Sequence, residues 1–421
     1  MLLMFKVRNY ASFKEESILD LRAAPYARHA THSVGASDGI SLLKTTAIYG
    51  ANASGKSNFI SAMLFFEQYI FSQFISKKES LDFGESVQAA ASLQPFLLSE
   101  DKSDASEFEI IFISNGRPIQ YGFECTSTGV LGEWYYIGDE KAFERKGPEV
   151  TYGPRYRGLL GAYRKIPAGR LYISVLEYFL DDAARKDVLG DFLEFFTKKY
   201  NVFMGALPEP AATGPVDSSG LHRMLVDDGA FRSKVAKYMQ LVDVGIKGID
   251  IHEEAVSNIK TGKSEKRKSV KTVHDVYGDA GKAVGEEHFD LRQESTGTLR
   301  FLAYIQYIVL LMERGGVLIV DELSASMHPK MTKLIVDIFQ SGTNENAQLI
   351  FTTHDISLLD SNQFRRDEIA FIDKNERGES RLYALSDLKV REDAAFGKDY
   401  MQGKYGAIPM FRYSELQGGG T

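Results

Sequence analysis

The segment Gly50-Ala-Asn-Ala-Ser-Gly-Lys-Ser57 restricts what this chain can fold into more than any other. It has the spacing Gly-x-x-x-x-Gly-Lys-Ser, and its flanks are those the motif needs. Thr45-Thr-Ala-Ile-Tyr49 before it is a short apolar run, expected as a buried strand. After it, Phe59, Ile60, Met63, Leu64 and Ile70 recur at helical spacing. Strand, glycine-rich turn and helix together predict a phosphate cradle. The glycines let backbone N–H groups approach phosphate oxygens, and the start of the helix adds its positive end. Gly50, Asn52, Ala53, Ser54, Gly55, Lys56, Ser57 and Asn58 are the expected lining. Lys56 is placed to reach the β and γ phosphates of ATP, and the Ser57 hydroxyl to ligate Mg²⁺.

A cradle of this kind needs a second acidic partner for the metal. Val317-Leu-Ile-Val-Asp-Glu322 is four apolar residues followed by two carboxylates. A buried strand puts Asp321 at its C-terminal tip, where doubly wound sheets bind ligands. Asp321 suits Mg²⁺ coordination, and Glu322 suits the general base that orients an attacking water. Two further segments flank this pair. Glu294-Ser-Thr-Gly-Thr-Leu299 opens a predicted helix, and a Ser-x-Gly turn there is a possible anion site through Ser295 and Gly297. Leu349-Ile-Phe-Thr-Thr-His354 is an apolar strand ending in a histidine that can contact a γ-phosphate. Taken singly, such a turn or histidine is more often ordinary structure; the order of the four segments argues for function.

That order resembles the ABC-type ATPase layout. The resemblance makes Ser295 and Gly297 the signature motif and His354 the switch histidine. Lys56 and Asp321 stand 265 positions apart, so a large insert splits the ATPase. The split, the opening Phe5-Lys-Val-Arg-Asn-Tyr-Ala-Ser-Phe13 and Ser326-Met-His-Pro329 resemble the RecF, SMC and OLD-type branch. Within it, Tyr49 to Asn58, Gln94-Pro-Phe96, Ser106-Glu-Phe-Glu-Ile110 and Tyr400-Met-Gln-Gly-Lys-Tyr-Gly-Ala-Ile-Pro409 are similar to RloA-type ATPases. Those are bacterial phage-defence ATPases, related to the Septu, retron-associated and PARIS ATPases. The resemblance covers about half the chain. It implies ATP sandwiched between two subunits, so that the signature of one completes the site of the other and the chain works as a dimer or higher homo-oligomer. It also implies a glutamine near the metal, for which Gln94 is the candidate, and a separate effector protein such as a nuclease. Only 67 residues follow His354, too few for the nuclease domain of OLD-type proteins, and no Cys/His metal cluster is evident. A RecF/SMC-like DNA-repair ATPase and an ATP-dependent scaffold without turnover are the alternatives.

The expected fold is α/β, a phosphate-loop ATPase head with a mixed sheet core, a β-rich lobe and an inserted helical lobe. The expected division is a split core over 1–95 and 286–421, a β-rich lobe over 96–175 and a helical insertion with a basic hairpin over 176–285. Residues 1–24 alternate as two strands joined near Ser12, and Phe108–Ile113, Tyr121–Cys125 and Glu133–Ile137 are three more strand candidates. Trp134-Tyr-Tyr136 is expected as core packing. Helical spacing runs through 174–245, broken by the Pro-containing stretch Leu207–Ser219. Lys263, Lys266, Arg267, Lys268 and Lys271 form a basic cluster, a solvated loop or a backbone contact for nucleic acid. Residues 400–409 are a strap on the core or a docking segment. The net charge of -7 does not advertise nucleic acid. One cysteine, Cys125, excludes an internal disulfide and fits a reducing cytoplasm. No apolar run is long enough to span a membrane.

Overall fold

The computed structural model describes residues 1–37, 39–74, 92–100, 103–162, 166–205, 220–243, 245–257 and 264–408. Two compact units emerge. The first comprises Met1–Met204, Gly316–Leu323 and Phe339–Thr421; the second comprises Gly205–Gly315 and Ser324–Ile338. The cut therefore falls near 204 and 315 rather than at 175 and 285.

The first unit holds two large sheets. One is antiparallel and seven-stranded: β1 (Leu2–Arg8), β2 (Ser17–Asp20), β6 (Ser106–Ser114), β7 (Arg117–Thr126), β8 (Gly129–Ile137), β9 (Glu140–Lys146) and β10 (Glu149–Tyr152), in the order β10-β9-β8-β7-β6-β1-β2. The strands expected as a separate β-rich lobe thus continue the sheet begun by β1. Of the Trp134-Tyr-Tyr136 triplet on β8, only Tyr135 enters the core. Trp134 and Tyr136 lie half-buried on the other face, where the Trp134 Nε1–H donates to Glu109 Oε2 (2.6 Å). A two-stranded ribbon, β3 (Ser33–Ser37) and β4 (Ile40–Leu43), precedes the second sheet.

That second sheet is mixed and six-stranded: β5 (Thr45–Tyr49), β11 (Tyr200–Phe203), β15 (Gly316–Val320), β16 (Ala347–Thr352), β17 (Ile369–Lys374) and β18 (Ser380–Ala384), in the order β11-β15-β16-β5-β17-β18. Only β18 runs antiparallel to its neighbour. β5, β15 and β16 are buried at every position, the pattern of strands covered on both faces. The expected mixed α/β core is present.

The helix α1 (Lys56–Phe74) is buried on more than one stripe: Phe59, Ile60, Ala62, Met63, Phe66 and Ile70 are all fully covered. A helix apolar on so wide an arc belongs in a core rather than at a surface. Phe5 of β1 packs edge-on to Phe59 and Phe66 (5.8 and 5.9 Å), and Phe66 stacks on Phe123 of β7 (5.2 Å). The same core takes in Val317, Ile319, Ile350 and Ile372 of the mixed sheet. Packing on both sheets fixes the start of α1, and with it the loop that leads in.

Burial carries a cost at Glu67 of this helix. The Glu67 carboxyl has its pKa pushed up to about 8 by desolvation alone. Between the ordinary value of 4.5 and about 8, the folded chain keeps a proton that the unfolded chain has released. The Glu67 contribution to stability therefore falls as pH rises through that window and is constant above it. Glu67→Gln removes the penalty. Its thermal midpoint should gain on the wild type as pH goes from about 5 to about 8.5. The difference between the two melting curves checks this, and a difference independent of pH contradicts it.

Residues 355–408 of the first unit complete it. The Tyr400 ring stacks on Phe371 of β17 (5.4 Å), its hydroxyl donates to the Ala407 carbonyl (2.9 Å), and the Tyr383 hydroxyl donates to the Tyr405 carbonyl (2.6 Å). The described part of 400–409 is therefore a strap on the mixed sheet.

In the second unit, helices Gly229–Val242 and Thr296–Arg314 pack together. Asp228 caps the first, accepting from the N–H groups of Ala230 and Phe231. A three-stranded antiparallel sheet, β12 (Ile246–Ser257), β13 (Ser264–Tyr277) and β14 (Ala283–Asp290), takes the place of the expected hairpin. The basic cluster is not a loop. Lys266 to Lys271 lie on β13, where Lys268 pairs with Asp227 (3.4 Å) and Lys271 with Asp290 (2.7 Å). Lys263 and the stretch Leu207–Ser219 lie outside the described residues.

Candidate functional site

Three parallel strands place the first unit's candidate residues together. β16 lies between β15 and β5, with Val320 opposite Phe351 and Thr352 opposite Ile48. All three strands end on one edge of the sheet. From that edge β5 runs into Gly50–Gly55, β15 into Asp321 and Glu322, and β16 into His354. This is where an open α/β sheet offers a crevice to ligands.

The loop Gly50–Gly55 is braced from outside its own sequence. The Ser380 hydroxyl at the start of β18 lies 2.6 Å from the Ser54 carbonyl and 2.8 Å from Ser12 Oγ. The Ser380 N–H donates to the Ser12 carbonyl (2.7 Å), and the Asn58 amide donates to Ser12 Oγ (2.8 Å). Asn58, expected at the nucleotide, is thus engaged with the turn after β1. Ser12 and Ser380 are the supports that sequence reasoning missed. The turn at Ser12 was legible, but its partner lies 368 residues away. Gly55 shows why a glycine stands there: its φ is +114°, and a Cβ would come within 2.4 Å of Ser380 Oγ and 2.7 Å of Ser12 Oγ.

Lys56 is buried at the first turn of α1, and its ammonium donates to the carbonyls of Gly50 and Ala51 (2.9 Å each). Desolvation pulls its pKa down to about 8, against an upward pull from Asp321 and Glu322. Among the described residues the buried Ser54 hydroxyl has no hydrogen-bond partner, an open polar valence in the cradle itself. Asn52 and Ala53 of the loop and Ser57 in the first turn of α1 are exposed.

Thr352, at the end of β16, organises the acidic pair. Its hydroxyl donates to Asp321 Oδ1 (2.6 Å) and accepts from the Glu322 N–H (2.7 Å). The Thr352 carbonyl accepts from the Leu323 N–H (3.1 Å), and the Asp321 N–H continues the ladder to Phe203 of β11 (2.9 Å). Asp321 is buried, whereas Glu322 is exposed and has a φ of +55°. A left-handed glutamate persists only where its surroundings over-determine it, and Thr352 supplies that constraint. Thr352 was legible as a strand residue but not as the anchor of the pair.

His354 lies exposed just past β16. Its pKa is lowered by desolvation first and by the Lys56 charge second, with Glu322 and Asp321 pulling it back up. All three charges are thus close enough to act on one imidazole. Gln94 is not tied to this group. Its carbonyl accepts from the Ala11 N–H (2.6 Å) and its side chain is exposed; among the described residues nothing fixes that side chain beside Ser57 or Asp321.

Ser295 and Gly297 belong to the second unit. Ser295 caps helix Thr296–Arg314, its hydroxyl accepting from the Thr298 N–H (3.1 Å). The Thr298 hydroxyl donates to Asp243 Oδ2 (3.3 Å), fixing the cap to the preceding helix. A Cβ at Gly297 would meet nothing nearer than 3.7 Å. The chain's own packing therefore does not demand a glycine there.

The chain matches the sequence profile of a family described as "AAA domain, putative AbiEii toxin, Type IV TA system" over residues 45–147 and 240–360, more than half its length. No curated protein sequence matches it. Solved structures similar to it include three SMC heads. The first, bound to the C-winged helix domain of ScpA, has a TM-score of 0.45 at 14% identity and covers 91% of this chain and 97% of its own. The SMC head domain from Thermotoga maritima has a TM-score of 0.43 at 13% identity, covering 92% and 99%. The third is an Smc head from Pyrococcus furiosus with an extended coiled coil, bound to the C-terminal domain of ScpA. It has a TM-score of 0.44 at 11% identity, covering 96% and 98%. Among the described residues no helix is long and apolar enough to cross a membrane.

Proposed function

From its membership of this AAA-domain family, we propose that the chain is a magnesium-dependent ATP hydrolase whose site is completed by a second copy. The observation that carries this is the convergence of Lys56, Asp321, Glu322 and His354 on one sheet edge, each felt electrostatically by another. The donors fit the cofactors. Ser57 Oγ and the Asp321 carboxylate are hard oxygen ligands of the kind Mg²⁺ takes, and the unpartnered Ser54 hydroxyl suits a phosphate oxygen. When bound, the metal supplies charge neutralisation at the β and γ phosphates. The protein does the rest. Backbone N–H groups of Gly50–Gly55 and the start of α1 hold the phosphates, and Lys56 turns from the loop carbonyls to the β and γ oxygens. Glu322 orients water and accepts its proton, Thr352 holds Glu322 and Asp321 in register, and His354 donates to the γ-phosphate.

The signature role of Ser295 and Gly297 is part of the same proposal. An exposed N-cap serine on a 19-residue helix and a glycine unneeded by its own packing suit a phosphate from another subunit. In the cell we assign the chain to the RloA-like phage-defence ATPases, as a cytoplasmic sensor or regulatory subunit that holds and releases a separate effector such as a nuclease. The pairing of Lys268 and Lys271 with acids favours this over a DNA-handling role.

Lys56 provides the test. Phosphate contact must raise its pKa above the value of about 8 it has in the free chain. Binding then takes up protons at alkaline pH. ATP affinity should hold below about pH 8 and fall roughly 10- to 30-fold between about pH 7 and about pH 9.5. Calorimetry in two buffers of different ionisation enthalpy reads both effects. Unchanged affinity without proton uptake would remove Lys56 from the phosphates, and ATP binding without Mg²⁺-dependent phosphate release would leave a scaffold.

A further inference from the structure

We propose that the three-stranded sheet of the second unit carries a zinc-class metal site formed by Asp250, His252 and His288. The strand register brings them to one face. His252 of β12 lies opposite Ser269, Asp250 opposite Lys271, and His288 of β14 opposite Val273. Positions 269, 271 and 273 alternate by two along the central strand, so their partners on both flanks share a face. The side chains close over that strand.

The distances have the right scale. His252 Nε2 lies 3.0 Å from His288 Nδ1, and Asp250 Oδ2 lies 3.5 Å from the former and 3.6 Å from the latter. Metal–ligand bonds of about 2.0–2.1 Å at tetrahedral angles separate neighbouring ligand atoms by about 3.3–3.5 Å. Each edge of the observed triangle is within a few tenths of an ångström of that. Two imidazoles and one carboxylate select a zinc-like ion over Mg²⁺. The local charge suits a cation. Lys271 lies between the flanking strands, but its ammonium is drawn to Asp290 (2.7 Å), leaving Asp250 to the site. Asp250 is exposed and both histidines are half-buried, so a fourth ligand position faces solvent. Bound metal staples β12 to β14 across β13. The sequence hid this group because its histidines are 36 positions apart on strands that do not pair.

The test is a Co²⁺ titration of the metal-stripped full chain without nucleotide, read by visible absorption. One equivalent should bind with the strong bands of tetrahedral coordination, and Zn²⁺ should displace it. His252→Gln and His288→Gln should each weaken binding by at least about 100-fold. Asp321→Ala, which disables the proposed ATP site, and His29→Gln, at a histidine of the first unit, should leave it intact. Independently of any variant, stoichiometric Zn²⁺ and not Mg²⁺ should raise the wild-type melting temperature. Absence of tetrahedral bands, or their persistence in the His252→Gln/His288→Gln double variant, overturns the assignment and leaves a hydrogen-bonded histidine pair.

Discussion

Replacing Glu322 by Gln should lower steady-state ATP hydrolysis by roughly 10²–10⁴-fold while leaving nucleotide affinity nearly unchanged. The geometry makes this a clean substitution. Glu322 is exposed, so no packing is lost, and its backbone is held at a φ of +55° by the bond from its N–H to Thr352 Oγ1. Gln keeps the length and the backbone contact. What goes is the negative oxygen that takes a proton from water. Lys56 and the loop N–H groups, which carry the binding, are not altered. Phosphate release and equilibrium nucleotide binding, measured on the same preparation, separate the two effects. Turnover at the wild-type rate would remove Glu322 from the chemistry, and loss of binding would make it a structural support of the loop.

The parts of this site legible in the sequence were those with short-range logic. β5, the loop and α1 follow from an apolar run, a glycine spacing and a helical period within 26 residues, and all three are present as expected. β15 and β16 were visible because strands buried on both faces read as unbroken apolar runs. What stayed hidden was set by distant partners. β11 is four residues that follow a π-helical turn, and it exists because it pairs in parallel with β15; its own sequence continues a helical-looking stretch. Helix Tyr172–Phe179 begins without a local cap because the Glu133 carboxylate on β8 accepts from the N–H groups of Tyr172 and Ile173. The seven-stranded sheet merges the N-terminal strands with the expected β-rich lobe, since β1 pairs with β6 across about 100 residues of chain. Ser12, Thr352 and Ser380 are polar residues of common type. Only their contacts distinguish them.

The second large effect concerns the other half of the site. Ser295→Arg should cut turnover at least about 100-fold by placing a bulky side chain where the γ-phosphate of a neighbouring subunit must dock. The serine is also an N-cap, so the change costs helix stability, about 0.5–2 kcal/mol. That is a fraction of the roughly 5–15 kcal/mol that usually holds a fold together, and the melting temperature of the variant separates the two losses. Its own phosphate loop remains whole, so it should still bind ATP. Lys56→Ala is the complement: intact at Ser295 and Gly297, defective at the loop.

Mixing these two inactive proteins is the measurement that bears most directly on a composite site. If ATP lies between two copies, each mixed pair holds one site built from the intact loop of one chain and the intact Ser295 of the other. Equal mixing should then restore up to about a quarter of the wild-type rate, from half of the pairs with one of two sites each. Phosphate release no greater than the sum of the separate variants, in a preparation shown to exchange subunits, would contradict the account and leave each chain to act alone.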